Sequence, residues 1–245
     1  MEFYRQQEDL DISEWILFTG VDPQAFNRDF LNSDDKTIQR SWSSYDKTQQ
    51  LLLAIMPASS PHEAAKTAFD HQLRDALTPL GLHKSIRYIE STTRVGENGA
   101  KRPDHQFLPK RRPKGRTDEW PCLVLEVGFS ESPSKLVKDV RFWLHQSKGD
   151  VKTVITLKID RSTPSIVFEK WEIDEDCGRK KRNQVLTVKK GENKHIHVQP
   201  PNEPLTIEFE KLFLRPPTIP GETDIQFDNE KLREIAEEIW YEQGF

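Results

Sequence analysis

The sequence predicts an α/β fold: a small mixed sheet flanked by helices, with an N-terminal helical arm and a C-terminal strand-and-helix extension. Three observations carry that expectation. A helical pattern over about 61–78 is followed by three strand candidates, the last inside the run "WPCLVLEVGFSES" (120–132). A second amphipathic stretch, "SPSKLVKDVRFWLHQSKGD", then leads into the β-branched run "VKTVITLKI" (151–159). At 245 residues the chain is long enough to bury a core, and although 31% of it is charged, six Trp and thirteen Phe argue against disorder.

Residues 1–42 read as short helices anchored by Trp15, Phe18, Phe26, Phe30 and Trp42 and broken by "GVDP" and "NSDD". From 43 to 214 the pattern is that of the core. "QQLLLAIMP" (49–57) is a short apolar strand ended by proline. In the helix that follows, Ser60 caps, Pro61 takes the first position, Ala64, Ala68, Leu73 and Leu77 recur at helical spacing, and Pro79 and Gly81 stop it. Strands are expected at "HKSIRYIEST" (83–92), "RPDHQFL" (102–108) and "PCLVLEVGF" (121–129), and after the second helix at "VKTVITLKI", "SIVFEKWEI", "QVLTVKK", "KHIHVQ" and "LTIEFEKLF". In the extension, 215–245, Leu232, Ile235, Ala236, Ile239 and Trp240 share one helical face, which docks on this core or on a second copy as a homodimer contact.

Charge is unevenly distributed. Residues 1–35 hold nine acids and two bases, and 222–242 hold eight and two, so a chain of net charge −4 has a middle of +9. Two clusters dominate that middle, "KRPDHQFLPKRRPKGR" (101–116) and "GRKKRNQVLTVKKGENK" (178–194). Such a middle suits a polyanionic partner, and solvated loops give the same pattern. No basic start with an apolar stretch opens the sequence and no apolar run spans a bilayer, so secretion and membrane insertion are not expected. Cys122 and Cys177 form neither a metal-ligand spacing nor a disulfide framework, which fits the nucleus or cytoplasm.

The charge that requires explanation is Glu126. Strand alternation sets Val124, Glu126 and Gly128 on one face and Leu123, Leu125, Val127 and Phe129 on the other. A buried carboxylate costs several kcal/mol, roughly, without a partner, a proton or a metal. Asp104, in the preceding strand candidate, comes within reach of the same ion if the two strands are adjacent and antiparallel. Two carboxylates, water and a substrate phosphate make the ligand set that Mg²⁺ prefers, and metal-activated water cuts phosphodiesters. A buried acid satisfied by Arg102, His105 or a backbone amide is the simpler alternative.

The order helix, "PD" strand, "LEV" strand, helix, strand resembles the PD-(D/E)XK restriction-endonuclease-like superfamily. Within it the chain is most similar to the branch known as "putative restriction endonuclease" and to related uncharacterised fungal proteins. The resemblance spans about 43–214, and its most specific block is 120–144. It implies a nuclease that hydrolyses phosphodiester bonds, or a nucleic-acid-binding protein derived from one, with Asp104 and Glu126 holding Mg²⁺ or Mn²⁺, Glu63 assisting from the preceding helix, and nucleic acid as partner, DNA ahead of RNA. In the superfamily a lysine stands two residues after the glutamate, and here that position is Gly128. Some relatives supply the lysine from the next helix, which makes Lys135 and Lys138 candidates. Both point away from the apolar stripe, by about 140° and about 160° at helical spacing, although Lys135 can curl around the helix end.

Phosphate contacts are expected from Lys110, Arg111, Arg112, Lys114 and Arg116 and from Arg179, Lys180, Lys181 and Arg182. Ser130, Glu131 and Ser132 cap the second helix or hold phosphate. Trp120 and Trp143 read as core, His62 as a cap neighbour, and His195 with His197 as an exposed strand pair lacking a third metal ligand. The missing lysine also supports a rival function, a catalytically inactive nuclease-fold protein that works by protein–protein interaction or dimerisation.

Overall fold

The computed structural model describes residues 3–4, 15–55, 59–89, 91–129, 133–191 and 193–245. In chain order the elements are β1 (Phe3–Tyr4), β2 (Trp15–Phe18), α1 (Pro23–Phe26) running into a π-helical turn (Asn27–Leu31), α2 (Lys36–Arg40), β3 (Trp42–Asp46) and β4 (Leu51–Ile55). Then come α3 (Ser60–Leu77), β5 (Ile86–Ile89), β6 (Arg94–Gly96), β7 (Gly99–Lys101), β8 (His105–Pro109), β9 (Leu123–Gly128), α4 (Pro133–Gln146) and β10 (Thr153–Ile159). The rest are β11 (Ser165–Ile173), β12 (Lys180–Lys190), β13 (Ile196–Gln199), β14 (Leu205–Ile207), α5 (Phe209–Phe213), β15 (Ile225–Phe227) and α6 (Asn229–Gln243). They divide into two compact units, Met1–Ser59 with Thr92–Pro103, and Ser60–Ser91 with Asp104–Phe245.

The first unit is a sheet in the order β1-β2-β4-β3-β7-β6. Its two short helices begin where the sequence breaks. The Asp22 side chain accepts from the amides of Gln24 and Ala25 at 2.8 and 2.9 Å, and that of Asp35 from Thr37 at 2.7 Å. Phe26 stacks on Tyr45 and meets Trp42 edge-on, forming the small core expected of the aromatic anchors. Two expectations are corrected. Residues 15–18 form a strand rather than a helix, because they pair with β4, and β4 itself lies in this sheet and not at the head of the larger one.

The larger unit follows the predicted order of helix, three strands, helix and strand. Its sheet runs β13-β12-β11-β10-β9-β8-β5, and β9–β10 is its parallel pair. A parallel pair requires a crossover, and α4 supplies it. The fold is therefore mixed α/β, with helices flanking a mixed sheet, as the restriction-endonuclease-like resemblance implies. One face of the sheet carries Leu123, Leu125, Ile155, Leu157 and Phe168 into the main core with α3 and α6, while Val124, Val154 and Trp171 meet Val140, Trp143 and Leu144 of α4 on the other.

The apolar face of α6 is buried in this unit, with Leu232, Ile235, Ala236, Ile239 and Trp240 each at most 1% exposed. Burying each large aliphatic side chain contributes about 1.5–3 kcal/mol, so this helix belongs to the core and is not a detached extension. The expected strand "LTIEFEKLF" stops at Ile207. Phe209, Leu212 and Phe213 continue as a helical turn because their spacing of three and four buries all of them. Among the described residues no helix is long and apolar enough to cross a membrane.

Candidate active site

β8 and β9 are antiparallel with His105 opposite Leu125 and Gln106 opposite Val124. Asp104 directly precedes His105 and Glu126 directly follows Leu125, so the two acids flank the terminal pair of this register. Asp104 sits just outside the strand, and its Oδ2 accepts the Val127 N–H at 2.7 Å. Glu126, 3% exposed, lies on the α4 face and accepts a hydrogen bond from the indole Nε1 of Trp143. Trp143 is thus core, as expected, and also a donor: a hydrogen bond to a charged group contributes about 1.5–3 kcal/mol toward the desolvation of the carboxylate.

The other oxygen of Asp104 lies 3.2 Å from Nε2 of His62. His62 is in the first turn of α3, where its ring is pointed at the end of β8, so the reading of it as a bystander is corrected. No local pattern marks it; its place directly before Glu63 is the only hint in the sequence. Burial works to lower the His62 pKa, but the adjacent Asp104 carboxylate and the contact with Glu63 outweigh it and raise it to about 10, so the ring is an imidazolium at neutral pH. For Asp104 burial works upward, yet the His62 charge, the Val127 amide and the charge of Lys135 together hold it well below the usual carboxylate range. Glu63 faces solvent with both oxygens 2.9 Å from Lys66 Nζ, and its Oε1 is 3.6 Å from His62 Nδ1. Its contact with His62, against an opposing effect of burial, and then Lys66, brings it down to about 2. It adjoins Asp104 through His62.

The absent lysine has a packing counterpart. A Cβ at Gly128 would lie 2.6 Å from Cδ1 of Leu136, so α4 occupies the space into which a side chain at this strand position would grow. Lys135, expected to face away, lies along α4 toward the next turn. Its Nζ is 3.0 Å from Oδ2 of Asp139, a buried acid one turn on that sequence reasoning missed, and its charge reaches Asp104. Lys138 is exposed. His105, one of the simpler partners considered for the acids, instead places Nε2 3.2 Å from Asp70 Oδ1.

Among the described residues no group of three or more His, Cys, Asp or Glu is arranged to hold a metal ion. The donor chemistry of Asp104 and Glu126 nonetheless suits Mg²⁺ or Mn²⁺: two hard carboxylates, one just before β8 and one on β9, each with an oxygen oriented by an N–H donor. His195, just before β13, and the exposed His197 within it do meet, with ring centroids 4.7 Å apart.

No family model matches the chain, and no curated protein does. Among solved structures, it is similar to the crystal structure of "a putative nuclease belonging to DUF820" from Anabaena variabilis ATCC 29413. The two are 12% identical with a TM-score of 0.45, over 80% of this chain and 90% of that one.

The basic residues are not beside the carboxylates. Lys110, Arg111, Arg112, Lys114 and Arg116 lie in the β8–β9 connection, and Arg179, Lys180, Lys181 and Arg182 at the start of β12, both at the other end of the sheet. Arg116 is not available to phosphate, because its guanidinium bonds Asp150 Oδ2 at 3.0 Å and the Trp120 carbonyl at 2.8 Å. Arg182 is engaged by Glu169 at 2.6 Å, and Lys181 by Asp174 at 3.2 Å. Ser130, Glu131 and Ser132 lie outside the described residues.

Proposed function

We propose that this protein is a divalent-metal-dependent nuclease whose metal is held by Asp104 and Glu126. The observation that supports the reading is the adjacency of the antiparallel strands β8 and β9, whose terminal pair His105–Leu125 is flanked by Asp104 and Glu126, with the Asp104 carboxylate accepting the Val127 N–H. Mg²⁺ or Mn²⁺ bound by such a pair supplies an activated water and Lewis-acid stabilisation of a phosphodiester. The chain's own groups serve that chemistry from three sides. The Val127 N–H and the Trp143 indole fix the orientation of the two carboxylates, and the Lys135 ammonium, borne by α4 rather than by β9, contributes positive charge near Asp104.

A second reading is favoured by Leu136, which fills the space beyond Gly128. It is a catalytically silent nucleic-acid-binding protein on the same fold. The rival in which an inactive nuclease fold works by protein–protein interaction or dimerisation through the apolar face of α6 finds no support, since that face is buried within the larger unit.

Incubation of the protein with plasmid DNA and with structured RNA, in Mg²⁺ and then Mn²⁺, separates the two. Cutting that disappears in Glu126→Ala and Asp104→Ala supports the nuclease. Absence of cutting by the wild type, together with no Mn²⁺ binding in calorimetry, leaves the silent fold.

A further inference from the structure

Three connections of the larger unit emerge together at the end of the sheet opposite Asp104 and Glu126. The parallel strands β9 and β10 begin there, with Leu123 opposite Thr153, and Ile173 at the end of β11 pairs with Lys180 at the start of β12. Direct contacts join the loops. Arg116 of the β8–β9 connection holds Asp150 of the α4–β10 turn, and the Lys152 amide bonds the Cys122 carbonyl at 2.8 Å. A cavity of about 360 Å³ lies between the α4–β10 turn and the β11–β12 turn, walled by Lys148 and Lys152 on one side and Glu172 and Gly178 on the other.

The uncompensated charge at this end is positive. Lys110, Arg111, Lys114, Lys148 and Arg179 are exposed and have no acidic partner among the described residues, and Lys180 lies 5.0 Å over the Trp171 ring. Neighbouring acids are engaged: Asp150 by Arg116, Glu172 by Lys211 at 2.7 Å and Asp174 by Lys181. Asp118 of the β8–β9 connection is engaged by Arg87 at 3.2 Å, and the exposed acids Glu119 in that connection and Glu175 and Asp176 at the tip of the β11–β12 turn leave the excess positive.

This surface is too far from the carboxylates to share a phosphate with them. Glu126 pairs with Thr156 and Thr156 with Glu169, and Ile173 lies four residues beyond Glu169 along β11. At the rise of a strand that is about 13 Å, or roughly four base-pair steps of a duplex at 3.4 Å each.

We propose that the three connections form an anchoring site for a nucleic-acid backbone, separate from Asp104 and Glu126 and engaged with or without hydrolysis. Binding here is sequence-independent and steeply salt-dependent, and it fixes a strand several nucleotides from the carboxylate pair.

The test is binding in EDTA, where cutting plays no part, so that loss of anchoring and loss of catalysis are told apart. Anisotropy of a fluorescent duplex of about 30 base pairs would be followed against salt for the wild type, for Arg111→Glu/Lys114→Glu/Lys148→Glu, and for Lys158→Glu. Lys158 is exposed at the carboxylate end, opposite Gly128. Each phosphate contact contributes about 0.9 to the slope of log affinity against log salt. The triple variant is expected to bind at least about tenfold more weakly with a slope shallower by about two to three, while Lys158→Glu matches the wild type. Milder Arg111→Gln/Lys148→Gln substitutions, checked by circular dichroism, repeat the comparison if the triple variant misfolds. An unchanged slope, an equal loss from Lys158→Glu, or binding of heparin but of neither DNA nor RNA overturns the proposal.

Discussion

The indole N–H of Trp143 donates to the carboxylate of Glu126 across the interface between α4 and β9. An acid 3% exposed in the centre of a sheet is thus met by a donor from the helix that covers it. Trp143→Phe keeps most of the packing and removes the donor, and is expected to cost about 1–3 kcal/mol. In a double-mutant cycle with Glu126→Gln the two changes should couple by about 1 kcal/mol or more in urea denaturation. Strict additivity would mean that the bond contributes nothing.

The His62–Asp104 pair gives stability a pH dependence whose sign follows from the two shifts. His62 is raised from an ordinary value near 6.5 to about 10, so its contribution is complete below about pH 6.5 and fades as pH climbs to about 10. Asp104 is depressed, so its contribution is present above about pH 4 and fades as pH falls further. The stability gap between wild type and His62→Gln should therefore be widest at about pH 5–6 and narrow steadily toward pH 10. Urea midpoints at four or five pH values measure it, and a gap that does not change with pH refutes the pair.

Gly128 and Leu136 are packed so that each excludes a larger partner. Gly128→Ala should cost about 1–3 kcal/mol by overpacking, and the cost should largely vanish in a Leu136→Ala background. Gly128→Lys/Leu136→Ala then places a lysine at the strand position usual in the resembling superfamily. If cutting is weak in the wild type, that double variant is expected to raise it, measured by plasmid relaxation in Mg²⁺.

Ile235 is fully buried where α6 meets the main core. Ile235→Ala should lose about 2–5 kcal/mol. The denaturation midpoint should not depend on protein concentration, because the contact is made within one chain; a midpoint that rises with concentration would restore a dimer through this helix.

Much of this fold is written in local pattern. Apolar residues at three and four apart mark α3, α4 and α6, alternation and β-branching mark β8 to β12, and Pro79, Gly81 and the aspartates at 22 and 35 mark the breaks. The "LTIEFEKLF" segment misled because its alternation and its helical spacing coexist, and burial of Phe209, Leu212 and Phe213 chose the helix. β4 misled for another reason: an apolar pentapeptide specifies a strand but not which sheet it joins.

By itself the sequence determined most elements of the larger unit, the lone acid on one face of β9, the glycine two residues after it and the basic runs. Those depend only on periods of 2.0 and 3.6 residues and on residue chemistry. Tertiary structure alone decided that Trp143 meets Glu126, that Leu136 closes the space at Gly128, that His62 reaches Asp104, and that the basic loops stand at the far end from the carboxylates. Each of these joins residues on different elements, and which side chains meet there is fixed by strand register and helix packing, which no local window of sequence contains.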